Sequence, residues 1–297
     1  MSIERFVGLE RQSAVDELAV EEPLEIRLEY GPTDLRRVKS VSVTMRTPGN
    51  DFELSAGFLL TEGVIRDASD IDRIEHVGGT ALNARTDERG AATPAVAAPQ
   101  STLRSSIVCV KLREDVEVET SAIERNFYAT SSCGVCGKAS LLALHAVCPP
   151  RFRNSFEVEA EVLYSVTAAL RNAQSTFNET GGLHAVGLFD RKGNLRTVCE
   201  DVGRHNAMDK LVGFEFLAER TPLRDSILLL SGRASFELLQ KALMVGIPMV
   251  VSIGAPSSLA LDLAREFDIT LVGFLRVGRF NVYHGAARVL TQRRAGE

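Results

Sequence analysis

The 297-residue chain lacks several features that would place it in a specialised class of protein. None of its apolar runs approaches the roughly 18 residues that a membrane-spanning helix needs. The N-terminus has no apolar segment of the kind found in secretory signals. The cysteines number five, an odd count that is not typical of a disulfide framework in a chain this long. These absences predict a soluble protein of the reducing cytoplasm, with no membrane partner.

The chain also lacks an excess of basic residues. Its formal net charge is −5 and its pI is near 5.7, whereas general nucleic-acid-binding proteins usually carry a strong positive charge. We therefore expect no nucleic-acid partner. What is present is the composition of a globular protein with a real core, with 45% apolar residues and a mean hydropathy of +0.02.

The pattern of the first half predicts a small α+β domain over residues 1–125. Residues 1–20 resemble a loose leader, and residues 84–106, rich in Ala, Pro, Thr, Ser and Gly, are typical of a flexible insert. A helix is predicted at Phe52–Leu60, after a turn at Pro48–Asp51. Strands are predicted at Leu24–Tyr30, Val38–Thr44, Ile71–Val77 and Ile107–Leu112. The domain boundary falls between about 115 and 130.

In the second half, residues 126–297, strands alternate with helices. Strands are predicted at Leu183–Phe189, Leu195–Cys199, Ser226–Leu230, Pro248–Ile253 and Ile269–Phe274. Helices are predicted at Lys138–Val147, Val158–Gln174, Arg204–Val212 (closed by Gly213), Phe236–Val245 and Ser258–Phe267. This alternation is typical of a layered α/β domain with a largely parallel region. The predicted fold class is thus α/β, in two parts.

The most informative motif is a pair of thiols, Cys133 and Cys136, in a glycine-flanked loop at the start of a predicted helix. A helix N-terminus favours negative charge and lowers the pKa of a thiol, and the thiolate is the reactive form. Gly134 and Gly137 leave the sulfur atoms uncovered. The motif alone leaves three interpretations open, which are a redox dithiol, half of a zinc site and a sulfur carrier.

The zinc interpretation has a specific form. His145 and Cys148 are spaced to share a helical face, so a binding or scaffold protein stabilised by zinc would use Cys133, Cys136, His145 and Cys148. The leucines of the same segment argue against it, because they predict a helix that faces the core. A zinc deaminase would need H-x-E followed by P-C-x-x-C. The segment at His184 lacks the glutamate, so deaminase chemistry is not expected.

Three strand-to-helix junctions carry polar residues suited to binding. Arg204 and His205 stand in a first helical turn, where the helix dipole disfavours cations, and Asp201 is predicted to cap that helix. Ser231-Gly232-Arg233 offers backbone N–H groups and a guanidinium, a combination that suits a phosphate. The third junction, Gly254–Ser258, is the least specific of the three.

Two more segments add to this picture. The glycine pair Gly181-Gly182 leads into a strand that begins near His184, and Arg276 and Arg279 flank a glycine after the last strand of the alternating series. Ligands of open α/β sheets bind beyond the carboxyl ends of the strands. Arg233, Arg276 and Arg279 are therefore expected to line one edge, and a bulky phosphate-bearing guest is the natural ligand.

Six segments in order resemble the FdhD/NarQ family, the formate dehydrogenase accessory sulfur carriers. They span roughly residues 22 to 284 and read S-S-C-G-V-C-G-K, F-N-E-T-G-G-L-H-A, E-D-V-G-R-H-N-A-M-D-K, S-G-R-A-S-F-E, G-A-P-S-S-L-A and G-F-L-R-V-G-R-F-N-V-Y. The resemblance implies a sulfurtransferase-type persulfide carrier, with Cys133 and Cys136 as the sulfur-carrying pair. It also implies a homodimer, and a C-terminal half that resembles the cytidine-deaminase fold without its zinc chemistry.

The same resemblance implies the partners and the substrate. Sulfur would come from a cysteine desulfurase and pass to the molybdenum bis-guanine-dinucleotide cofactor, Mo-bis(molybdopterin guanine dinucleotide), destined for formate dehydrogenase. Phe274–Arg279 matches the family's cofactor-binding segment, GDP-like nucleotides are expected to mimic the cofactor, and no metal ligands are assigned. The residues expected at the cofactor site are Gly181, Gly182, His184, Asp201, Arg204, His205, Ser231, Gly232, Arg233, Phe274, Leu275, Arg276, Val277, Gly278 and Arg279.

Overall fold

A computed structural model describes residues 1–77, 81–83, 106–118 and 155–291. The thiol loop and the helix predicted at Lys138–Val147 lie outside the described residues. So does the predicted insert at 84–106, except for its last residue. Most of the interval predicted to hold the domain boundary lies outside them too, and the boundary stays a prediction.

The N-terminal part is built on a five-stranded sheet with the strand order β4-β3-β7-β5-β6. Its strands are β3 Glu22–Tyr30, β4 Arg37–Arg46, β5 Ile71–His76, β6 Ala81–Asn83 and β7 Ile107–Leu112. Strand β3 is antiparallel to β4 and parallel to β7. Leu24, Ile26 and Leu28 are fully buried and alternate with charged residues, as expected for a strand that has one face toward the core and one toward solvent. The four strands predicted in this part are confirmed.

The first 16 residues differ from the expected loose leader. They form a hairpin of β1 Ser2–Val7 and β2 Glu10–Val15, in which Val7 pairs with Glu10 across a two-residue turn. Gly8 takes a φ of +63° in that turn, a conformation that lets two strands reverse tightly. The prediction of a leader without structure is wrong, because a short hairpin needs only this turn and little apolar patterning.

The C-terminal part is a six-stranded sheet with the order β10-β9-β11-β12-β13-β14. These strands are β9 His184–Phe189, β10 Leu195–Asp201, β11 Ile227–Leu230, β12 Met249–Ser252, β13 Thr270–Arg276 and β14 Arg279–His284. Strands β11, β12 and β13 are parallel, and the other pairs are antiparallel. Strands β8 Val158–Glu159 and β15 Val289–Leu290 form a separate short ladder. The largely parallel region of the prediction is thus confined to three strands.

Helices cover both faces of this sheet. They are α2 Ala160–Ala173, α3 Ser175–Thr180, α4 Arg204–Leu217, α5 Phe236–Met244 and α6 Ser258–Glu266. One face packs with α4, α5 and α6 in a larger core that also contains residues of the N-terminal sheet, and the other packs with α2 in a smaller core. The mixed, layered α/β architecture is confirmed. No helix among the described residues is long and apolar enough to cross a membrane.

Helix α4 packs against α1, Asp51–Thr61, through a very close contact. A Cβ atom on Gly213 would lie 1.8 Å from the Glu53 carbonyl oxygen, and one on Gly57 would lie 1.9 Å from that of Asp209. Neither position tolerates a side chain. The prediction that Gly213 closes α4 is wrong, because this glycine lies inside the helix and permits the contact with α1 while the helix continues to Leu217.

Candidate functional site

The order of the strands brings the predicted junctions to one edge of the C-terminal sheet. Strands β10, β11, β12 and β13 end there, and the antiparallel strand β9 begins there. Asp201 pairs with His184, and the Ser231 amide donates to the Ala185 carbonyl at 3.0 Å. Along the chain, β10 is followed by α4, β11 by α5 and β12 by α6. Residues distant in sequence therefore share one edge.

The centre of this edge is tightly packed backbone. The Ala185 amide donates to the Ser231 hydroxyl at 2.9 Å, and the Gly254 amide donates to the Gly232 carbonyl at 2.8 Å. A Cβ atom on Gly254 would lie 2.8 Å from that same carbonyl oxygen. A Cβ on Gly232 would lie 3.5 Å from His184 Nδ1. The junction predicted as least specific, at Gly254, is thus fixed directly against the Ser231–Arg233 junction.

His184 is half-buried at this edge, near Arg204 and His205. Its half-buried position, and then Arg204 and His205, lower the pKa of its imidazole below the ordinary value. At neutral pH, His184 is therefore a neutral side chain that can donate one hydrogen bond and accept another. His205 Nε2 lies 3.5 Å from Glu237 Oε2 at the start of α5, and its interaction with His205 lowers the pKa of Glu237 to about 2.

Asp201 has a different role from the one expected. Its side chain is fully buried, and its carboxylate pairs with Lys210 Nζ at 2.7 Å. It also accepts hydrogen bonds from the Thr47 and Gly203 amides and from Asn206 Nδ2. The N-cap position of α4 belongs to Gly203. The prediction that Asp201 caps the helix is wrong. Its carboxylate accepts from the Gly203 amide of the β10–α4 junction and from the Thr47 amide of the β4–α1 turn, and so links the two segments.

The β13–β14 turn presents the other arginines. Arg276 pairs with Arg279 across the turn Val277-Gly278, and Arg276 Nη1 donates to the Ile253 carbonyl at 2.7 Å. Arg276, Val277, Gly278 and Arg279 are exposed, as is Arg233. Leu275 is fully buried, and its side chain belongs to the smaller core.

Phe274 has an unusual backbone at this edge. Its φ of 54° lies in the left-handed region, which is strained for a residue with a bulky side chain. The strand register shifts between Gly273 and Arg276, and the Phe274 amide donates to the Gly254 carbonyl at 3.0 Å. Phe274 is 39% exposed. Strained conformations of this kind cluster at binding sites.

A pocket of about 670 Å³ opens beside His184 and Ser231. One wall comes from α2 and α3 and includes Arg171, Gln174 and Phe177, which belong to none of the predicted site residues. Gly181 and Gly182, which were predicted, lie in its rim together with Leu183. The sequence pattern does not indicate this wall. It predicts one helix, Val158–Gln174, and no helix directly after it, whereas in the structure α3 begins at Ser175.

The predicted thiol pair and the alternative zinc ligands lie outside the described residues. The described cysteines, Cys109 and Cys199, are free thiols. Burial raises the pKa of Cys199 to about 12, and burial followed by Glu29 and Glu75 raises that of Cys109. Neither sulfur becomes a thiolate near neutral pH. Within the described ranges, no group of three or more His, Cys, Asp or Glu residues is placed to hold a metal ion.

The fold and the edge together define a class of protein, an α/β protein with an arginine-lined strand edge. A crystal structure described as that of a putative formate dehydrogenase accessory protein from Desulfotalea psychrophila has the same fold. Its TM-score is 0.69 at 23% identity, over 98% of each chain. A model of the FdhD/NarQ family matches residues 19–290. The chain belongs to the FdhD/NarQ family.

Curated relatives agree with this assignment. A protein from Streptomyces coelicolor is 45% identical over 284 residues, which cover 95% of this chain and 92% of that one. A relative from Mycobacterium tuberculosis is 47% identical over 275 residues, 92% of this chain and 91% of the other. One from Saccharolobus solfataricus is 37% identical over 274 residues, 92% and 91% of the two chains. All three are named sulfur carrier protein FdhD.

Proposed function

We propose that this chain is a cytoplasmic sulfur carrier that serves the maturation of formate dehydrogenase. In this proposal a cysteine desulfurase supplies persulfide sulfur, and the chain, acting as a homodimer, passes it to the molybdenum bis-guanine-dinucleotide cofactor as substrate. The observation that carries the proposal is the family match over residues 19–290, together with relatives named as sulfur carriers. The resemblance of the six motifs implies the same role.

The chemistry of the cysteines supports Cys133 and Cys136 as the carrying pair. Cys109 and Cys199 are held as thiols, and of the three remaining cysteines Cys133 and Cys136 are the two that the family resemblance assigns to sulfur transfer. In the first transfer, a Cys133 thiolate attacks the outer sulfur of the donor persulfide. A new S–S bond forms on Cys133, the donor S–S bond breaks, and the donor leaves as a thiolate. The exchange is balanced without an external oxidant or reductant.

The charge at the strand edge supports a phosphate-rich substrate. Arg233, Arg276 and Arg279 are exposed there, and guanidinium groups bind phosphate oxygens in pairs. Arg276 is oriented across the end of β12 by its bond to the Ile253 carbonyl. The exposed Phe274 ring stands in the same segment. These features suit the pyrophosphate and ring systems of a dinucleotide.

The proposal is tested by replacing the thiols one at a time. Cys133→Ala and Cys136→Ala are introduced beside a matched control, Cys148→Ala, which removes a cysteine outside the motif. We expect the control to support formate dehydrogenase activity in a strain that lacks its own carrier, and we expect at least one motif variant to abolish it. The purified protein, incubated with a desulfurase and cysteine, should gain the mass of one sulfur atom that a reductant removes.

Two outcomes would contradict the proposal. The first is full activity in both motif variants, with no sulfur adduct on the wild-type protein. The second is about one zinc ion per chain whose removal by a chelator unfolds the protein, because a metal clamped by Cys133, Cys136, His145 and Cys148 would leave no thiol free for transfer.

A further inference from the structure

The N-terminal hairpin and the segment that follows it, residues 1–21, form an arm whose side chains are largely exposed. In β1 and β2 every strand residue is exposed except Ile3 and Ala14, which pair with each other. The open end of the hairpin is closed by the Asp16 amide, which donates to the Met1 carbonyl at 3.0 Å. A two-stranded hairpin that packs against nothing else is marginally stable in water. The arm therefore needs a further surface to pack against.

The free edge of β4 is a second surface that lacks a cover. Strand β4 is the outermost strand of the N-terminal sheet, and among the described residues it pairs only with β3. An edge strand presents unpaired N–H and C=O groups to which a further strand can be added. Near the end of β4, Asn206 Nδ2 donates to the Met45 carbonyl at 2.7 Å. The open part of the edge thus comprises residues 37–43.

Exposed apolar side chains concentrate on these two surfaces. Val38 and Val43 pair with Glu29 and Glu25 of β3, so they lie on the outer face of the sheet, and each is 59% exposed. Most of the large apolar side chains that are exposed in the described part of the chain belong to the arm or to the β4 segment. They are Met1, Phe6, Val7, Leu9, Val15, Leu18 and Val20 on the arm, and Leu35, Val38, Val43 and Met45 at β4. Exposed apolar surface of this extent marks an interaction site.

The charges of the two surfaces are opposite in sign. The arm carries five carboxylates against two arginines, and β4 begins in a basic segment. The carboxylates are those of Glu4, Glu10, Asp16, Glu17 and Glu21, and the basic residues are Arg36, Arg37 and Lys39. Complementary charges guide association and fix the register of two surfaces. The arm and the β4 edge are therefore suited to each other.

We propose that the arm of one copy of this chain adds to the β4 edge of a second copy, and that the exchange is reciprocal. The occupant is a second copy because the arm and the edge that complements it belong to one chain. A two-fold pair covers both surfaces at once, whereas an unrelated partner would cover one. The inference rests on the homodimer of the proposed function and deepens it by naming the surfaces that join the copies.

The direction of the added strand follows from the charges. Antiparallel addition of β2 to β4 places Asp16 and Glu17 beside Arg37, whereas parallel addition would leave them at the other end of β4. Three residues further along each strand, the antiparallel arrangement brings Ser13 near Ser40. This pair of serines gives a direct test of the contact.

The test is disulfide cross-linking between two differently tagged full-length chains, one with Ser13→Cys and the other with Ser40→Cys. Residues opposite each other on paired strands are close enough for a disulfide bond. We expect peptide mass spectrometry, after mild oxidation, to find positions 13 and 40 joined between the two tags. The matched control uses Ser165→Cys in place of Ser13→Cys, because Ser165 is an exposed serine on α2, and it should give no link to position 40.

Sedimentation equilibrium gives an independent measurement of the same contact. Leu9→Ser at the hairpin turn and Val43→Ser on the edge should each weaken self-association by about tenfold or more, because each removes an apolar side chain that the interface buries. The control is Leu259→Ser, which changes an exposed leucine on α6. Arg37→Glu should also weaken the dimer, and Glu17→Arg in the same chain should restore it. Misfolding would not produce that rescue.

The opposing results separate this inference from the proposed function. If the wild type dimerises and Leu9→Ser and Val43→Ser dimerise equally well, the copies meet elsewhere and only the inference fails. Absence of the link between positions 13 and 40, or an equal link from Ser165→Cys, would also overturn it. A monomeric wild-type chain would assign these surfaces to a different protein and would remove the homodimer from the proposed function. Sulfur transfer has its own readout, which is the mass of the sulfur adduct.

Discussion

The buried pair of Asp201 and Lys210 gives the sharpest prediction about stability. Lys210 Nζ lies 2.7 Å from Asp201 Oδ2 and donates to the Thr47 carbonyl at 2.8 Å. The two side chains expose 0% and 3% of their surface. Lys210→Met therefore leaves a carboxylate without its cation in the interior. Breaking one side of such a pair costs about 3–5 kcal/mol, a large part of the roughly 5–15 kcal/mol that stabilises an ordinary protein.

The assay is urea unfolding at pH 7 of Lys210→Met, Asp201→Asn and the double variant. Each single variant should lose about 3–5 kcal/mol in the free energy of unfolding, and the double variant should lose clearly less than their sum, because it leaves no unpaired charge. The control is Arg11→Met on the hairpin. It breaks an ion pair of 2.9 Å whose side chains are 66% and 45% exposed, and such pairs contribute at most about 1 kcal/mol.

Two results would refute this reasoning. One is a loss below about 1 kcal/mol in Lys210→Met, equal to the Arg11→Met control, which would place the pair in contact with water. The other is strict additivity of the two single variants, because side chains in direct contact must couple.

Two further predictions concern the contact between α1 and α4 and the reactivity of Cys199. Gly213→Ala should lower the melting temperature, because the new Cβ would clash with the Glu53 carbonyl. In an exposed helix the same change stabilises by about 1 kcal/mol. An unchanged or raised melting temperature would show that α1 and α4 separate easily. At pH 8, iodoacetamide should leave Cys199 unmodified in the folded protein and alkylate it after guanidinium unfolding, because its pKa is about 12. Mass spectrometry of the tryptic peptides measures this, and rapid native labelling would contradict it.

Most of the strands could be predicted from local pattern alone. Leu24–Tyr30 alternates apolar and charged residues with a period of two, and this periodicity is sufficient for a half-buried strand. The strands predicted at Leu183–Phe189 and Leu195–Cys199 are confirmed as the antiparallel pair β9 and β10. Such features depend on neighbours two to five residues apart, so the sequence shows them directly.

The errors have a common physical cause. Gly213 resembles a helix terminator in sequence, yet in the structure it is the contact point for α1. Asp201 resembles a cap, yet it pairs with Lys210 beneath the junction. In both cases a contact with a distant residue decides the outcome, with Glu53 for Gly213 and with the Thr47 amide for Asp201, and local propensity carries no information about such a contact.

The order of amino acids is enough to recognise the family, through six motifs in order, and to locate the junctions where strands are followed by helices. Which of those junctions meet depends on the folded chain, because the order of strands in a sheet is set by pairing between distant segments. That pairing sets His184 against Gly232 and turns Asp201 inward. It also makes Gln174, an unremarkable residue at the end of α2, part of a pocket that opens beside the arginine edge.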